Sequence, residues 1–121
     1  MVGALFDTNI LIDFLNGVAE AKDEFELYDS RAISIVTWME VMAGARPEVE
    51  AATRAFVDGF ERIVIDDEIA EQAVAIRRQA RIKLPDAVIW ASARCRSLLL
   101  VTRNSKDFPP DEPWVRIPYS K

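Results

Sequence analysis

The sequence of 121 residues contains no histidine and only one cysteine, Cys95. A disulfide within the chain would need two cysteines, so none can form, and zinc sites built from Cys and His are excluded. Nucleophilic triads with a histidine base and RNA cleavage by a histidine acid–base pair are excluded as well. A hydrolytic site in this chain must therefore use carboxylates, hydroxyls, amides, Lys and Arg, and a hard metal ion suits such a set.

Long hydrophobic runs are also missing. The uninterrupted apolar runs are short, such as residues 98–101, far below the roughly 20 residues of a membrane-spanning helix. Asp7 interrupts the apolar start of the chain, and no basic stretch precedes it, so we expect no targeting signal and a cytoplasmic protein. Half of the residues are apolar and 29% are charged, which predicts one globular domain over residues 1–121.

Charge is distributed unevenly along the chain. The formal net charge is −5, but residues 1–73 hold 5 basic and 16 acidic residues, whereas residues 74–121 hold 10 basic and 4 acidic ones. Such asymmetry indicates either a surface for a polyanion or two segments that neutralise each other. The sequence leaves both interpretations open.

Apolar runs and helical periodicities alternate along the chain. We predict strands at residues 2–6, 32–36, 62–65, 98–102 and 115–117, and helices at residues 8–15, 19–29, 37–43, 48–60, 67–82 and 85–95. Strands separated by helices imply an α/β fold, a three-layer α/β/α sandwich with a central parallel sheet. The first and fourth strands are uninterrupted apolar runs, which predicts that they lie at the centre of the sheet.

Four acidic residues lie where this fold would place a ligand. Asp7 directly follows the first strand, Glu40 comes one helical turn after the second, Asp86 opens the helix before the fourth, and Asp107 follows the fourth. Ligands of open parallel sheets bind outside the carboxyl ends of the strands. Carboxylates that converge there repel one another unless cations neutralise them, and oxygen ligands suit Mg²⁺ or Mn²⁺. Such ions activate water, so no histidine is needed.

Each acid also has an ordinary structural interpretation. Asp7 and Asp86 suit the first turns of helices, where carboxylates are favourable. Thr37 and Glu40 have the spacing of a capping box, with Thr8 as the cap of the first helix. Asp107 suits an Asx turn.

Four segments together resemble the PIN domain, and within it the VapC-type toxins of bacterial and archaeal toxin–antitoxin pairs. The segments are FDTN with Leu11 and Ile12, ISIVT leading to Glu40 and Gly44, PDAVIWA at residues 85–91, and LVTRN at residues 100–104 through Asp107 and Phe108. Each fragment is a weak match alone, but all four in order are specific. The resemblance implies a Mg²⁺- or Mn²⁺-dependent endoribonuclease with a Rossmann-like fold.

The resemblance also implies roles for individual residues. The metal-ligating acids would be Asp7, Glu40 and Asp86, directly or through water. Asn104 stands where many relatives carry Asp, so Asp107 would be the fourth acid and Asn104 a neutral helper. Thr102 would orient the carboxylates of the site.

The residues around these acids suggest further contacts. Thr8 and Asn9 are expected to bond to Asp7 or to the water shell of the metal, although helix capping alone also explains them. Arg103 and Lys106 are the cations nearest the acids in sequence, so we predict RNA contacts for them, because phosphates dominate nucleic-acid affinity. The run of cations at residues 77–83 suits a solvated helix face, and Trp38 and Trp90 suit packing.

Two alternative functions remain open, and three partners are expected. A receiver-like phosphoacceptor domain would use Asp66 or Asp67 after the third strand, and a catalytically inactive PIN module would keep only the fold. The resemblance to VapC-type toxins implies an RNA substrate, a VapB-like antitoxin that wraps the toxin, and a homodimer formed through helices.

Overall fold

Helices and strands alternate through residues 3–120, the part of the chain that the computed structural model describes. The elements are β1 (Ala4–Phe6), α1 (Thr8–Leu15), α2 (Ala19–Phe25), β2 (Arg31–Ser34), α3 (Ile35–Ala43), a 3₁₀ turn (Pro47–Val49), α4 (Glu50–Asp58), β3 (Glu61–Ile63), α5 (Asp67–Ala80), α6 (Leu84–Cys95), β4 (Leu99–Val101) and β5 (Val115–Arg116). None of the helices within residues 3–120 is both long and apolar enough to span a bilayer.

The five strands form one parallel sheet in the order β3-β2-β1-β4-β5. β1 lies in the middle with β4 beside it, so the predicted central position of these two strands is confirmed. All three residues of β1 are fully buried, as expected for a parallel strand that is covered on both faces.

Two hydrophobic cores cover the two faces of the sheet. On one face Leu5 and Leu100 pack with the apolar residues of α5 and α6. On the other, Phe6 and Val101 pack with α1, α2 and α4, and the ring of Phe6 meets that of Phe25 edge-on at 4.8 Å. Neighbouring residues of a strand thus enter opposite cores, because side chains alternate along it. The predicted α/β/α sandwich is confirmed.

Two helices are capped by residues other than those predicted. The hydroxyl of Ser34 accepts a hydrogen bond from the N–H of Val36 at 3.0 Å, so α3 begins at Ile35. The predicted capping box of Thr37 and Glu40 is therefore wrong. Asp7 rather than Thr8 caps α1, since its Oδ1 accepts from the N–H of Thr8 at 2.7 Å.

Other boundaries differ by a few residues. The predicted helix at residues 48–60 divides into the 3₁₀ turn and α4, and α2 ends four residues earlier than predicted. Residues 35 and 36, predicted to end the second strand, belong to α3 instead. The ends of the later apolar runs lie outside the hydrogen-bonded ladder, so those strands are shorter than predicted. Val2, predicted to start the first strand, lies outside the described residues.

An ion pair ties the edge strand β5 to α2. The Arg116 guanidinium donates from Nε and Nη2 to the two oxygens of Glu24 at 2.6 and 3.0 Å. The Glu24 side chain is only 5% exposed, and the hydroxyl of Tyr28 donates to it at 2.8 Å. A short edge strand is thereby fixed to the layer of helices that covers it.

Replacement of Arg116 by Met should destabilise the fold by about 2 kcal/mol, because two charge-assisted hydrogen bonds are lost and a buried carboxylate is left poorly satisfied. Urea unfolding measures the free energy. Arg46→Met is the control, since Arg46 and Glu48 form a largely exposed pair and should change stability by less than about 0.5 kcal/mol. Equal effects of the two variants would contradict a structural role for the Arg116–Glu24 pair.

Candidate functional site

The carboxyl edge of the sheet holds an open cleft of about 320 Å³ that is rich in acidic and amide groups. It is lined by Asp7, Thr8, Asn9, Ile12, Glu40, Asp86, Arg103 and Asn104. Three of the four predicted acids line it together. They come from the ends of different elements: Asp7 follows β1, Glu40 lies on α3, and Asp86 lies in the first turn of α6.

Asp7 is buried, with 4% of its surface exposed. Its Oδ1 accepts from the N–H of Thr8 at 2.7 Å, and its Oδ2 accepts from the hydroxyl of Thr102 at 2.7 Å and from the Asn9 amide at 3.2 Å. Thr102 directly follows β4, so the pairing of β1 with β4 sets it beside Asp7. Three hydrogen bonds hold the carboxylate in one orientation.

Burial raises the pKa of Asp7 to about 6, although hydrogen bonds from Thr102 and Thr8 lower it. The negative charges of Asp86 and Glu40 raise it further. The ionised form of Asp7 is thus disfavoured both by loss of water and by its acidic neighbours. A cation in the cleft would relieve both effects.

Glu40 is exposed on α3 and is linked to α1 through Thr8. The Thr8 hydroxyl donates its one hydrogen to Glu40 Oε1 at 2.6 Å. In the 2.9 Å bond between Thr8 and Thr37, the Thr37 hydroxyl must therefore be the donor and Thr8 Oγ1 the acceptor. This chain of hydroxyls fixes the approach of α3 to α1. Thr8 therefore positions Glu40 rather than capping the helix.

Asp86 lies in the first turn of α6, two residues after the helix begins. Burial raises its pKa, and the charges of Asp107 and Glu40 raise it further, while Lys83 lowers it. Asp86 and Asp7 thus each interact electrostatically with Glu40. The two interpretations of Asp86, helix start and member of an acidic site, both apply.

The loop after β4 is organised by Asn104. Its amide donates to Asp107 Oδ2 at 3.0 Å, and its Oδ1 accepts from the N–H of Asp107 at 3.2 Å. The N–H of Asn104 donates to Thr102 Oγ1 at 3.0 Å. The side chain that accepts a backbone hydrogen bond in this turn is that of Asn104. The Asx turn predicted for Asp107 is therefore wrong. Asp107 itself is outside the lining of the cleft but acts on Asp86 through its charge.

Arg103 lines the cleft, and much of its guanidinium is engaged elsewhere. Its Nε and Nη2 donate to Asp13 at 2.7 and 3.1 Å, and its N–H donates to Asn9 Oδ1 at 3.2 Å. The Asp13 side chain is 3% exposed and also accepts from the hydroxyl of Tyr119 at 2.9 Å. Lys106, the second predicted RNA contact, is exposed and has no ion pair within residues 3–120.

Asp13, which holds Arg103 in place, and Tyr119, which donates to Asp13, lie outside the motifs that the sequence singled out. Asp13 carried a usable signal, because an acid on the apolar side of a short helix needs a buried partner. Tyr119 carried none, since its position beside Asp13 depends on the course of the chain after β5.

The two tryptophans beside the acids are packed. Trp38 donates from Nε1 to Asp58 at 3.0 Å, and the guanidinium of Arg62 lies 4.5 Å from its ring centre. Trp90 is buried and meets the ring of Phe108 edge-on at 5.5 Å. The packing roles predicted for them agree with these contacts.

The receiver-like alternative fails on position. The carboxylate of Asp66 caps α5 through the N–H of Ile69 and pairs with Arg96 at 2.7 Å. Arg96 follows the last residue of α6, whereas Asp86 lies near the first. A helix of this length spans roughly 18 Å, so Asp66 lies far from the acidic cleft.

The donor set suits a hard cation that keeps much of its water. Among residues 3–120, no group of three or more Asp, Glu, Cys or His side chains is arranged to hold a metal ion. Mg²⁺ is usually held by only one or two carboxylates and several waters. The all-oxygen cleft and the mutual repulsion of its carboxylates therefore fit such an ion.

Residues 4–109 match the PIN domain family. The tRNA(fMet)-specific endonuclease VapC of Shigella flexneri is 33% identical over 120 residues, which cover 89% of this chain and 91% of that protein. A chain of a toxin–antitoxin complex from Klebsiella pneumoniae is 48% identical, with 98% and 99% of the two chains covered and a TM-score of 0.92.

A chain of the DNA-bound VapBC of Salmonella typhimurium is 25% identical, with 96% of each chain covered and a TM-score of 0.77. These likenesses extend over nearly the whole chain and agree with its overall fold. The resemblance seen in the sequence is confirmed: the chain belongs to the PIN domain family and is similar to its VapC-type members.

Proposed function

We propose that this protein is an endoribonuclease toxin of the VapC type that hydrolyses RNA phosphodiesters in the acidic cleft. The observation that carries the proposal is the buried carboxylate of Asp7, held by three hydrogen bonds and facing the charges of Asp86 and Glu40. A fold gains no stability from such an arrangement at neutral pH. It is useful where a cation and a phosphate must be held together.

PIN nucleases generally use divalent metal ions, and Mg²⁺ or Mn²⁺ would be held here by Asp7, Asp86 and Glu40, directly or through water. When bound, such an ion lowers the pKa of a water molecule and offsets the charge that develops on phosphate and leaving oxygens. Asp107 and Asn104 border this set and would support it from the loop after β4.

The chain's own residues contribute orientation. A carboxylate has about four acceptor positions, and hydrogen bonds occupy one on Oδ1 of Asp7 and two on Oδ2. About one position on Oδ1 is left for a ligand. Thr102 and Asn9 thus hold Asp7 in one orientation with about one acceptor position free. The hydroxyl of Thr8 fixes Oε1 of Glu40 and leaves its other acceptor positions available.

Arg103 and Lys106 would approach the RNA from the loop after β4. The Arg103 guanidinium keeps Nη1 free of the bonds to Asp13, so it retains donors for a phosphate while its position is fixed. Lys106 is exposed, and its long side chain suits a contact with the RNA phosphate backbone outside the cleft.

The likenesses suggest a substrate class and a partner. The Shigella relative is named for tRNA(fMet), and the Klebsiella structure is a toxin–antitoxin complex. By analogy, the proposal includes tRNA as substrate, a VapB-like antitoxin that covers the cleft, a homodimer, a cytoplasmic location and a single domain over residues 1–121.

Asp7→Asn should lower the rate of RNA cleavage at least about 100-fold, because loss of one electrostatic stabiliser of a transition state has this magnitude. Cleavage of unfractionated tRNA is measured with Mg²⁺, with Mn²⁺ and with EDTA. Asp29→Asn, an exposed acid before β2, should retain full activity. Full activity of the wild type in EDTA, or of Asp7→Asn with metal, would exclude the metal-dependent nuclease.

The products of cleavage should carry 5′-phosphate and 3′-hydroxyl ends, because we propose attack by water rather than by the ribose 2′-hydroxyl. End-specific ligation and phosphatase treatment of the fragments distinguish the ends. A 2′,3′-cyclic phosphate would show that the ribose is the nucleophile and would overturn this mechanism.

The metal-free protein should lose stability between pH 4 and pH 7 through Asp7. Its pKa lies at 3.8 in the unfolded chain and about 6 in the fold, so the folded state binds more protons in this window and stability falls as pH rises. The displacement corresponds to about 3 kcal/mol. Urea unfolding in EDTA should show this pH dependence for the wild type and a weaker one for Asp7→Asn. Parallel curves for the two proteins would mean that Asp7 is not the titrating group.

A further inference from the structure

Two distinct groups stand out among the basic residues of the second half of the chain. Three of them pair with acids of the first half: Arg96 with Asp66, Arg103 with Asp13, and Arg116 with Glu24. Mutual neutralisation therefore explains part of the charge asymmetry. It does not explain the second group, which we call the α5–α6 basic cluster and which consists of Arg77, Arg78, Arg81 and Lys83.

All four members of the α5–α6 basic cluster are exposed. Within residues 3–120, none of them has a carboxylate within ion-pair distance. The positions three and four residues before Arg77 and Arg78 are apolar: Ala73, Val74 and Ala75. The local sequence therefore offers no helical ion pair to compensate these charges.

Favourable interaction with the helix dipole explains only part of the cluster. Arg77 and Arg78 lie in the last turn of α5, where cations are stabilised. Arg81 and Lys83 come after the helix, and Arg81 adds a like charge three and four residues after the other two. Arg81 also has φ 57°, the left-handed conformation in which Gly is favoured at helix ends. The stability of α5 therefore does not explain why four cations are concentrated at this point.

The α5–α6 basic cluster leads directly to the acidic cleft. Lys83 occupies the N-cap position of α6, without a capping hydrogen bond from its side chain, and lies close enough to Asp86 for its charge to lower the pKa of that carboxyl. Inside the cleft the main cation, Arg103, is largely held by Asp13. A polyanion that enters an acidic cleft needs cations at its border, and within residues 3–120 this cluster is the densest set of cations without an ion pair.

We propose that the α5–α6 basic cluster binds the phosphate backbone of the RNA on the Asp86 side of the cleft. This inference rests on the proposed ribonuclease function. The cluster supplies affinity that does not depend on base sequence, because phosphate contacts carry no sequence information. It reaches nucleotides beyond the cleaved bond, so it favours long or folded RNA over short fragments.

The test is the triple variant Arg77→Gln, Arg78→Gln, Lys83→Gln, which spares the strained position Arg81. With unfractionated tRNA and Mg²⁺, KM should rise about tenfold at moderate salt. The double variant Arg77→Gln, Arg78→Gln keeps the Lys83 charge beside Asp86, so its kcat should stay within about twofold of the wild-type value while its KM still rises. The logarithmic salt dependence of kcat/KM should weaken by about 2, since each lost phosphate contact removes roughly 0.7–0.9. Melting temperatures of the variant and the wild type are compared to check that the variant folds.

A matched control removes three charges elsewhere through Lys22→Gln, Arg31→Gln and Arg54→Gln. Lys22 and Arg31 line a different depression of the surface, and Arg31 begins β2 at the amino edge of the sheet. The control should keep the wild-type KM and salt dependence. If both triple variants behave alike, the inference is wrong. A loss confined to antitoxin binding would also overturn it and assign the surface to protein, whereas a wild type that cleaves no RNA would overturn the proposed function.

Discussion

The burial of one carboxylate at the end of the central strand determines the arrangement of the site. Asp7 follows β1, the strand with neighbours on both sides, so it emerges in the middle of the carboxyl edge. Nearly all of its surface is covered, and a buried charge is tolerated only with partners. The hydroxyl that follows β4 and the backbone that begins α1 supply them. The same residue thus ends a strand, caps a helix and forms the floor of the cleft.

The fold brings the other acids to this point by different routes. β2 is paired with β1 and passes directly into α3, which carries Glu40 over the cleft. α6 packs across the opposite face of the sheet, so its first turn delivers Asp86 to the same edge. Like charges approach one another only because hydrophobic contacts of the two cores hold these elements in place. Stability gained in the cores offsets the unfavourable electrostatics of the cleft.

Most of the fold and much of the cleft could be predicted from the sequence. Continuous apolar strands marked the centre of the sheet, and the rule that ligands lie at carboxyl ends of strands brought Asp7, Glu40 and Asp86 together. Errors arose where two local signals competed. Ser34 and Thr37 both suited a helix start, and the burial of Thr37 decided against it. The Asp13–Arg103 bond could not be predicted, because it joins residues 90 positions apart.

The acidic residues of the chain include some that form ion pairs within the fold and some that form the site. Without the four acids of the cleft and its border, the formal charge of −5 would be −1, so these four acids equal in number most of the excess negative charge. The ion pairs of Arg96, Arg103 and Arg116 neutralise acids outside that group. The acidic cleft lies beside the α5–α6 basic cluster, and the two meet where Lys83 acts on Asp86. A divalent cation fits the first and a phosphate chain fits the second, so a metal-bound polyanion is the ligand that satisfies both charges at once.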